Sequence, residues 1–442
     1  MLSLFLSSLL LAPPPGGGDL VAIRVKRAET IASGPLEHAL ILVEDGKIVA
    51  LGEDLPVERG IPVLDRPDWV VTPGLVNAHT RVAGERSPAR LFEPQSRPTF
   101  DVDPRHEAWE ELLELGITTV GFYPDGSGIP GQALVLRPHG ETLAEMLVSD
   151  SAYLKIQLQA SASSKKAVRE AFAKVDEYLE KVAKEREKWE KDQEKKKKSS
   201  SKTSSKKEEE KKDDPKAEEK KEGALTPEDE KEEEKQDDKK STDDKKGDVF
   251  VPPAPDEKVK PFLDLREKSL TAMMSIRKAA DYLHLLDVLK KEKDVQFFLQ
   301  FPLSDDGDLY EVATKIGEKG LTVVTVPEVT LQVNSLRERN IPAELVRAGA
   351  KLVLTPRFDT VRGHEDWRAD VGRLVGQGLA REAALAAITL EAARALGQAE
   401  EIGSLEVGKR ADLVFWSGDP LEPSSKVEAV MLGGEFVVGD VP

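Results

Sequence analysis

The feature that most constrains the fold is a short apolar stretch that ends in two polar side chains. Residues 70–81 read Val-Val-Thr-Pro-Gly-Leu-Val-Asn-Ala-His-Thr-Arg. β-Branched residues and a Pro-Gly break lead into an extended segment, and side chains two residues apart on an extended backbone share one face. The stretch therefore predicts a strand that carries His79 and Arg81 on the same face near its end.

Helix and strand patterns alternate through the middle of the chain, which predicts a parallel barrel-type sheet. The predicted strands after this stretch cover residues 117–122, 133–136, 153–158, 295–301, 321–326 and 351–354. The predicted helices include residues 164–189, 269–290 and 381–396. In a barrel of this kind, ligands bind in the loops at the carboxyl ends of the strands.

The two ends of the chain carry a different pattern, of short strands joined by tight turns. Asp45-Gly46 separates two β-rich runs in the N-terminal part, and Gly433-Gly434 does the same near the C-terminus. Both dipeptides tolerate positive φ, so each predicts a two-residue hairpin. We expect the two parts to form one small β domain.

Three of these stretches together resemble the amidohydrolase superfamily, in particular its imidazolonepropionase-like members. They are residues 70–81, residues 117–122, and residues 402–420, which read Ile-Gly-Ser-Leu-Glu-Val-Gly-Lys-Arg-Ala-Asp-Leu-Val-Phe-Trp-Ser-Gly-Asp-Pro. The resemblance extends over residues 19–438 apart from a charged insertion.

The resemblance implies an α/β architecture with two domains. A (β/α)8 TIM-type barrel is expected at residues 73–398. A small discontinuous β-sandwich is expected beside it, with an N-terminal part at residues 19–72 and a C-terminal part at residues 399–442.

The resemblance also indicates where a metal site would lie. The superfamily binds a catalytic divalent metal with His-X-His after strand one, a lysine or carboxylate near strand four, histidines after strands five and six, and an aspartate after strand eight. In this chain His79 matches the first position, Arg81 replaces the second histidine, and Lys155 lies near the predicted fourth strand.

The remaining positions lack their usual ligands. The predicted fifth strand offers Gln300, the predicted sixth has no histidine, and Arg357 follows the eighth with Asp359 two residues later. A guanidinium has no lone pair and stays charged near neutral pH, so it repels a metal ion. We therefore expect no metal cofactor, although superfamily members use zinc or another divalent metal. His364 either faces the barrel mouth or is an ordinary surface residue.

The first functional hypothesis is a non-catalytic, ligand-binding relative. Arg81 and Arg357, with Lys155 and Gln300 near them, would bind a small carboxylate or phosphate at the barrel mouth. The alternative reading is that the two arginines pair with nearby carboxylates and fill a disused site. The carboxylates in question are Asp359 and Glu328.

Two other functions remain open. One is a hydrolase that acts on carbon–nitrogen bonds other than peptide bonds, with zero or one metal, using His79 and Asp359 as acid and base. The other is a structural role, in which the chain is the partner of an active homologous amidohydrolase.

Net charge, cysteine content and the N-terminal residues limit which partners and which cellular location the sequence predicts. A formal net charge of −17 disfavours nucleic acid, which binds basic surfaces. The lack of cysteine excludes disulfides and thiolate sites. An apolar run at residues 1–12, followed by Pro-Pro-Pro-Gly-Gly-Gly, predicts a signal peptide at residues 1–18 and a periplasmic or secreted protein. A buried terminal helix is the alternative, and no other stretch is predicted to span a membrane.

One internal segment has low complexity. Residues 184–250 contain 22 basic and 24 acidic residues and almost nothing apolar. Such a segment cannot bury enough surface to offset its ordering entropy, so we expect it to be disordered or transiently helical. The predicted helices on either side of it, residues 164–189 and 269–290, are expected to pair as a short coiled coil.

Overall fold

The computed structural model describes residues 20–85, 90–206, 249–302 and 308–439. The chain divides into two compact units, one of residues up to 172 together with those from 257 onward, and one of residues 173–256. The expected signal peptide, residues 1–18, lies outside the described residues.

The described chain has 22 strands and ten α-helices. In chain order the strands are β1 (Val21–Glu29), β2 (Pro35–Glu37), β3 (Ala39–Glu44), β4 (Lys47–Glu53), β5 (Val63–Pro73), β6 (Leu75–Thr80), β7 (Arg90–Phe92), β8 (Ile117–Phe122), β9 (Gly126–Ile129), β10 (Gly131–Gln132), β11 (Leu134–Leu136), β12 (Leu147–Ser149), β13 (Tyr153–Gln157), β14 (Thr271–Ser275), β15 (Phe297–Gln300), β16 (Thr322–Thr325), β17 (Thr330–Leu331), β18 (Glu338–Arg339), β19 (Lys351–Leu354), β20 (Leu413–Trp416), β21 (Val427–Leu432) and β22 (Glu435–Val438). The α-helices are α1 (Ala108–Glu114), α2 (Leu143–Met146), α3 (Ala162–Lys206), α4 (Lys260–Arg266), α5 (Ala279–Val288), α6 (Ala313–Glu318), α7 (Ile341–Ala348), α8 (Val361–Gly376), α9 (Arg381–Ala387) and α10 (Leu390–Ala395).

Strands from both ends of the chain form one sheet of eight strands, in the order β22-β21-β20-β5-β1-β3-β4, with β2 paired to β1. The junction is the antiparallel pair β5–β20, in which Val70 lies opposite Trp416. The indole of Trp416 donates a 2.9 Å hydrogen bond to the hydroxyl of Thr72 on β5, which fixes the register. The two ends of the chain thus meet as expected in one sheet, and the two-layered sandwich remains a prediction.

A second set of strands forms the barrel-type sheet that positions the site. β6 and β8 are parallel, and β13, β14, β15, β16 and β19 follow one another in parallel. Residues 131–136 connect the two groups, because β10 pairs with β13 and β11 pairs with β8, both antiparallel. The fold is of the TIM-barrel α/β type with mixed sheets, and the described strands do not form a closed hydrogen-bonded ring.

The interior of this sheet is one apolar cluster. Its buried members come from nearly every strand and from α10 and the turns that follow it: Val76, Ala78, Ala133, Val135, Tyr153, Met273, Phe298, Val324, Val353, Ala392, Ala393, Ala395, Leu396 and Ile402. Inward and outward side chains alternate along each strand, so this core also decides which polar side chains face the barrel mouth.

The predicted helix at residues 269–290 was wrong. Its first part is the strand β14, and the helix α5 begins only at Ala279. A buried parallel strand is apolar on both faces, so a short apolar run does not distinguish strand from helix. Asp281 lies in the first turn of α5, and its carboxylate accepts hydrogen bonds from the backbone N–H groups of Arg277 and Lys278.

This correction changes the strand count. With residues 131–136 as the third position and β13 as the fourth, β14 is the fifth strand and β15, which ends at Gln300, is the sixth. The strand at residues 322–325 is then the seventh and β19 the eighth. Of the two helices expected to pair around the charged segment, the second is shortened to α5, and Arg169 of α3 donates to Asp287 of α5 at 2.7 Å. The coiled coil remains a prediction.

The charged segment is partly helical. α3 continues to Lys206, so residues 184–206 of this segment lie in a helix, and residues 207–248 lie outside the described residues. Ion pairs one turn apart support the helix on its exposed face, such as Arg186 with Glu190 at 3.0 Å. None of the helices in the described part of the chain has the length and apolarity needed to cross a membrane.

Candidate functional site

A cavity of about 190 Å³ opens at the carboxyl ends of the barrel-type strands. The residues that line it come from, or directly follow, β6, β8, β13, β14 and β15: His79, Tyr123, Lys155, Gln157, Leu158, Gln159, Ser275, Arg277, Gln300 and Pro302. This is the edge at which barrel proteins bind their ligands. Of the sequence-predicted site residues, the fold brings His79, Lys155 and Gln300 together here.

His79 is held in the cavity wall by aromatic side chains. Its Nδ1 lies 2.9 Å from the hydroxyl oxygen of Tyr153, and its ring stacks on Tyr123 with the centroids 3.9 Å apart. Burial, together with the nearby charge of Lys155, lowers the pKa of His79 well below its ordinary value. The imidazole is therefore neutral at physiological pH.

Lys155 is a buried cation, with only 6% of the residue exposed. Its Nζ donates to the backbone oxygen of Pro124 at 3.3 Å and lies 4.2 Å from the ring centroid of Tyr123. Burial lowers the pKa of Lys155 to about 8, with Asp125 and Asp359 raising it and Arg81 lowering it further. The amine is mostly protonated at pH 7 and has an appreciable neutral fraction.

The fifth and sixth strands, β14 and β15, each end in an uncharged polar side chain. Ser275 and Gln300 are register partners on adjacent parallel strands, and the Ser275 hydroxyl donates to Oε1 of Gln300 at 2.6 Å. These are the strand ends at which the superfamily pattern places histidines. The corrected strand count therefore leaves both positions without an imidazole.

Asp359 follows the eighth strand, β19, and accepts hydrogen bonds from residues at the ends of the first two strands, β6 and β8. One carboxylate oxygen accepts from the hydroxyl of Thr80, and the other accepts from the backbone N–H of Arg81 at 2.6 Å and the hydroxyl of Tyr123 at 3.3 Å. Both oxygens are thus engaged by protein donors. Asp359 is tied to the cavity through Tyr123, but it is not among the residues that line it.

Arg81 does not lie beside His79 in the cavity. Its guanidinium donates to Asp101 at 3.2 Å and to the backbone oxygens of Tyr123 and Glu85 at 3.0 and 2.6 Å. The strand β6 ends at Thr80, so the alternation of faces no longer fixes the direction of the next side chain. Arg81 secures the loop after β6 instead of supplying a cation to the site.

Arg357 is also directed elsewhere. Its guanidinium pairs with Glu328 at 2.8 Å, and both side chains are about one-third exposed, at 34% and 36%. The ion pair weighed as an alternative is thus present. The cations that do line the cavity are Lys155 and Arg277.

Sequence reasoning missed Arg277, Ser275 and Tyr123. The first two fell inside the predicted helix, so their position at a strand end was not visible. Tyr123 directly follows the predicted strand at residues 117–122, and the rule that site residues follow barrel strands could have identified it.

The side chains present do not fit a divalent metal. Within the described ranges, no three or more His, Asp or Glu residues are grouped so that they could hold an ion. Both ring nitrogens of His364 are engaged by protein groups: its Nδ1 donates to the backbone oxygen of Thr360 at 2.7 Å, and its Nε2 accepts from Asn77 at 2.9 Å. A structural or catalytic cage needs at least three such ligands, and here one imidazole lines the cavity.

Comparisons with known proteins agree with this fold. A model of the amidohydrolase family matches residues 355–438. The chain is 64% identical over 59 residues to imidazolonepropionase of Erwinia tasmaniensis, which is 13% of this chain and 14% of that enzyme. It is 32% identical over 106 residues to dihydroorotase of Lactobacillus helveticus, or 24% and 21% of the two chains. The matches thus span about a fifth or less of these curated relatives.

The similarity to a solved structure is much longer. An amidohydrolase from Thermotoga maritima MSB8 superposes with a TM-score of 0.68 at 21% identity, over 95% of this chain and 100% of that chain. The architecture is that of a TIM-barrel-type protein. The family-model match over residues 355–438 and the fold confirm the resemblance to the amidohydrolase superfamily that the terminal signatures predicted.

Proposed function

We propose that this protein is a metal-independent, ligand-binding member of the amidohydrolase superfamily whose barrel mouth takes a small carboxylate. The observation that carries the proposal is the charge of the cavity. Lys155 lies in its buried wall, Arg277 lies exposed at its rim, and no carboxylate is among the described residues that line it. Two cations without a carboxylate partner in the same cavity attract an anion, even though the whole chain is acidic.

The chemistry of the wall specifies the anion further. Arg277 offers a forked pair of N–H donors that matches a carboxylate, and Gln157, Gln159 and Gln300 add neutral amide donors. A volume of about 190 Å³ lies below the range of drug-sized ligand sites. A short organic acid therefore suits the cavity better than a nucleotide or a peptide.

The proposal is tested by thermal unfolding and calorimetric titration with acetate, pyruvate and inorganic phosphate. Pyruvate should raise the melting temperature and bind with about one equivalent, because a ligand of the native state stabilises it. Arg277→Gln should weaken that binding at least about tenfold, the loss of one charge-assisted contact. Arg357→Gln is the matched control and should bind like the unmodified protein. Equal binding by both variants, or no binding of any anion, would contradict the proposal.

The second candidate is a hydrolase of non-peptide carbon–nitrogen bonds. The neutral His79 in the cavity, linked through Tyr123 to Asp359, supports it. Its test is hydrolysis of the cyclic substrates after which the relatives are named, imidazolonepropionate and dihydroorotate, by the protein as purified. This candidate requires turnover that is lost in His79→Ala and in Asp359→Asn. Under the leading proposal, neither substrate is consumed.

A further inference from the structure

We propose that Lys155 is a reactive amine that forms an imine with the carbonyl group of a small oxo acid held in the barrel-mouth cavity. This rests on the proposed function, since the carboxylate of the oxo acid would occupy the same site. In the proposed anion site, Lys155 contributes only its positive charge, whereas here it also forms a covalent bond.

The first argument is the position of the amine. Lys155 is 6% exposed, yet it lines a cavity open to solvent. Its contacts are the backbone oxygen of Pro124 and the face of Tyr123. Within the described part of the chain it forms no ion pair with a carboxylate. A lysine placed in this way can approach a bound carbonyl carbon, whereas a lysine locked into an ion pair cannot.

The second argument is the arrangement of the two cations along the strands. Lys155 is the register partner of Met273 on β14, and Arg277 follows Met273 by four residues, just beyond the carboxyl end of that strand. A molecule with a carboxylate at one end and a carbonyl group further in would therefore meet the guanidinium at the rim and the amine in the wall. Oxo acids are the simplest compounds with both groups.

The environment of the amine favours the same step. Lowered pKa values in desolvated pockets are what make lysines nucleophilic, and the pKa of Lys155 is about 8. His79 beside it is neutral and adds no positive charge to the pocket. The bound metal that occupies this edge in the superfamily has no ligand set here to compete for the carbonyl oxygen.

The reaction balances without any oxidant or cofactor. The lone pair of the neutral Lys155 nitrogen attacks the carbonyl carbon, a C–N bond forms, and the carbonyl electron pair moves to oxygen. The nitrogen then gives up its two hydrogens in exchange for the second C–N bond, and they leave with the oxygen as water. The product is a C=N linkage that a hydride donor reduces to a stable secondary amine.

The experiment uses the full chain with pyruvate, and with levulinate as a longer oxo acid, in the presence of sodium cyanoborohydride. Peptide mapping by mass spectrometry should locate one adduct per chain on Lys155, formed at least about tenfold faster than on any other lysine. Lys155→Met should show no such adduct. Lys351→Met, at an exposed lysine of β19, should label like the unmodified protein. Adducts spread evenly over surface lysines would overturn the proposal.

Additional measurements distinguish failure of the imine proposal from failure of the proposed carboxylate site. Arg277→Gln should slow labelling by pyruvate at least about tenfold but leave labelling by the neutral ketone butanone unchanged. Anion binding in calorimetry without any Lys155 adduct would reject the imine and leave the proposed function standing. Selective Lys155 labelling that is equally fast with butanone and pyruvate would reject the carboxylate site, and with it the oxo acid. Circular dichroism of each variant checks that it is folded.

Discussion

Ser275 donates a 2.6 Å hydrogen bond to the side-chain oxygen of Gln300, and the two residues face each other at the ends of neighbouring parallel strands. In the superfamily pattern these strand ends carry two histidines that bind metal. Here they carry Ser275 and Gln300, two uncharged side chains that are hydrogen-bonded to each other. A cation bound between them would have to break this bond and then lie near Lys155 and Arg277, which repel it.

The first prediction is therefore that the purified protein holds far less than one equivalent of zinc, iron, manganese or nickel. A metal bound only by the native state would stabilise it, so a chelator should leave the melting temperature unchanged. Elemental analysis after dialysis, and melting curves with and without EDTA, provide the measurement. Near-stoichiometric metal would contradict the metal-independent proposal and would indicate a metal-dependent hydrolase.

The second prediction concerns the two arginines that replace ligand positions. Arg81 is buried against Asp101, with the side chains 12% and 4% exposed, so Arg81→Met should lower the free energy of unfolding by about 3 kcal/mol. Arg357→Met breaks a pair with Glu328 in which both side chains are about one-third exposed, and it should cost less than about 1 kcal/mol. Denaturant titration of both variants measures the difference. Equal losses would mean that Arg81 does not secure its loop.

Much of the fold could be predicted because its signals are local. The hairpin at Asp45-Gly46 and the strand at residues 117–122 depend on neighbouring residues alone, and both are present. The strand β14 could not be predicted in this way, because its apolar run fits a helix equally well. Only its pairing with β13 and β15, which are distant in sequence, decides between the two.

The site was predictable only in part for the same reason. His79 and Lys155 lie within strands, where alternation fixes the direction of the side chain, and both line the cavity. Arg81 and Arg357 lie beyond strand ends, where partners such as Asp101 and Glu328 decide the direction. Those partners are set by loops that no sequence pattern describes.

The third prediction is that residues 207–248 can be replaced by a short Gly/Ser linker. The only apolar residues of this stretch apart from prolines and glycine are Ala217, Ala224 and Leu225, so it has little apolar surface to bury. The replacement keeps α3 and the contact between Trp189 and Phe250, whose ring centroids are 6.0 Å apart. The melting temperature should stay within a few degrees. A collapse of expression would show that the stretch packs on the folded chain.

The last prediction is a pH dependence of stability that comes from Lys155. Burial is the main cause that brings its pKa from 10.5 to about 8, while Asp125 and Asp359 act in the opposite direction and Arg81 adds to the lowering. The folded state therefore binds the proton more weakly than the unfolded state does. Below pH 8 the charged amine destabilises the fold in full, and the penalty fades as the pH rises from 8 to 10.5.

The measurement compares Lys155→Met with the unmodified protein by denaturant titration across this range. At pH 7 the variant should be more stable by about 3 kcal/mol, the free-energy equivalent of the shift, apart from any change in packing. The difference should decline steadily above pH 8 and reach a constant value near pH 10.5. Lys351→Met, which removes an exposed lysine, controls for the change in net charge and should follow the unmodified protein in parallel. A Lys155→Met difference that does not vary with pH would mean that the amine is solvated as freely as a surface lysine, and it would remove the basis for its reactivity toward carbonyl compounds.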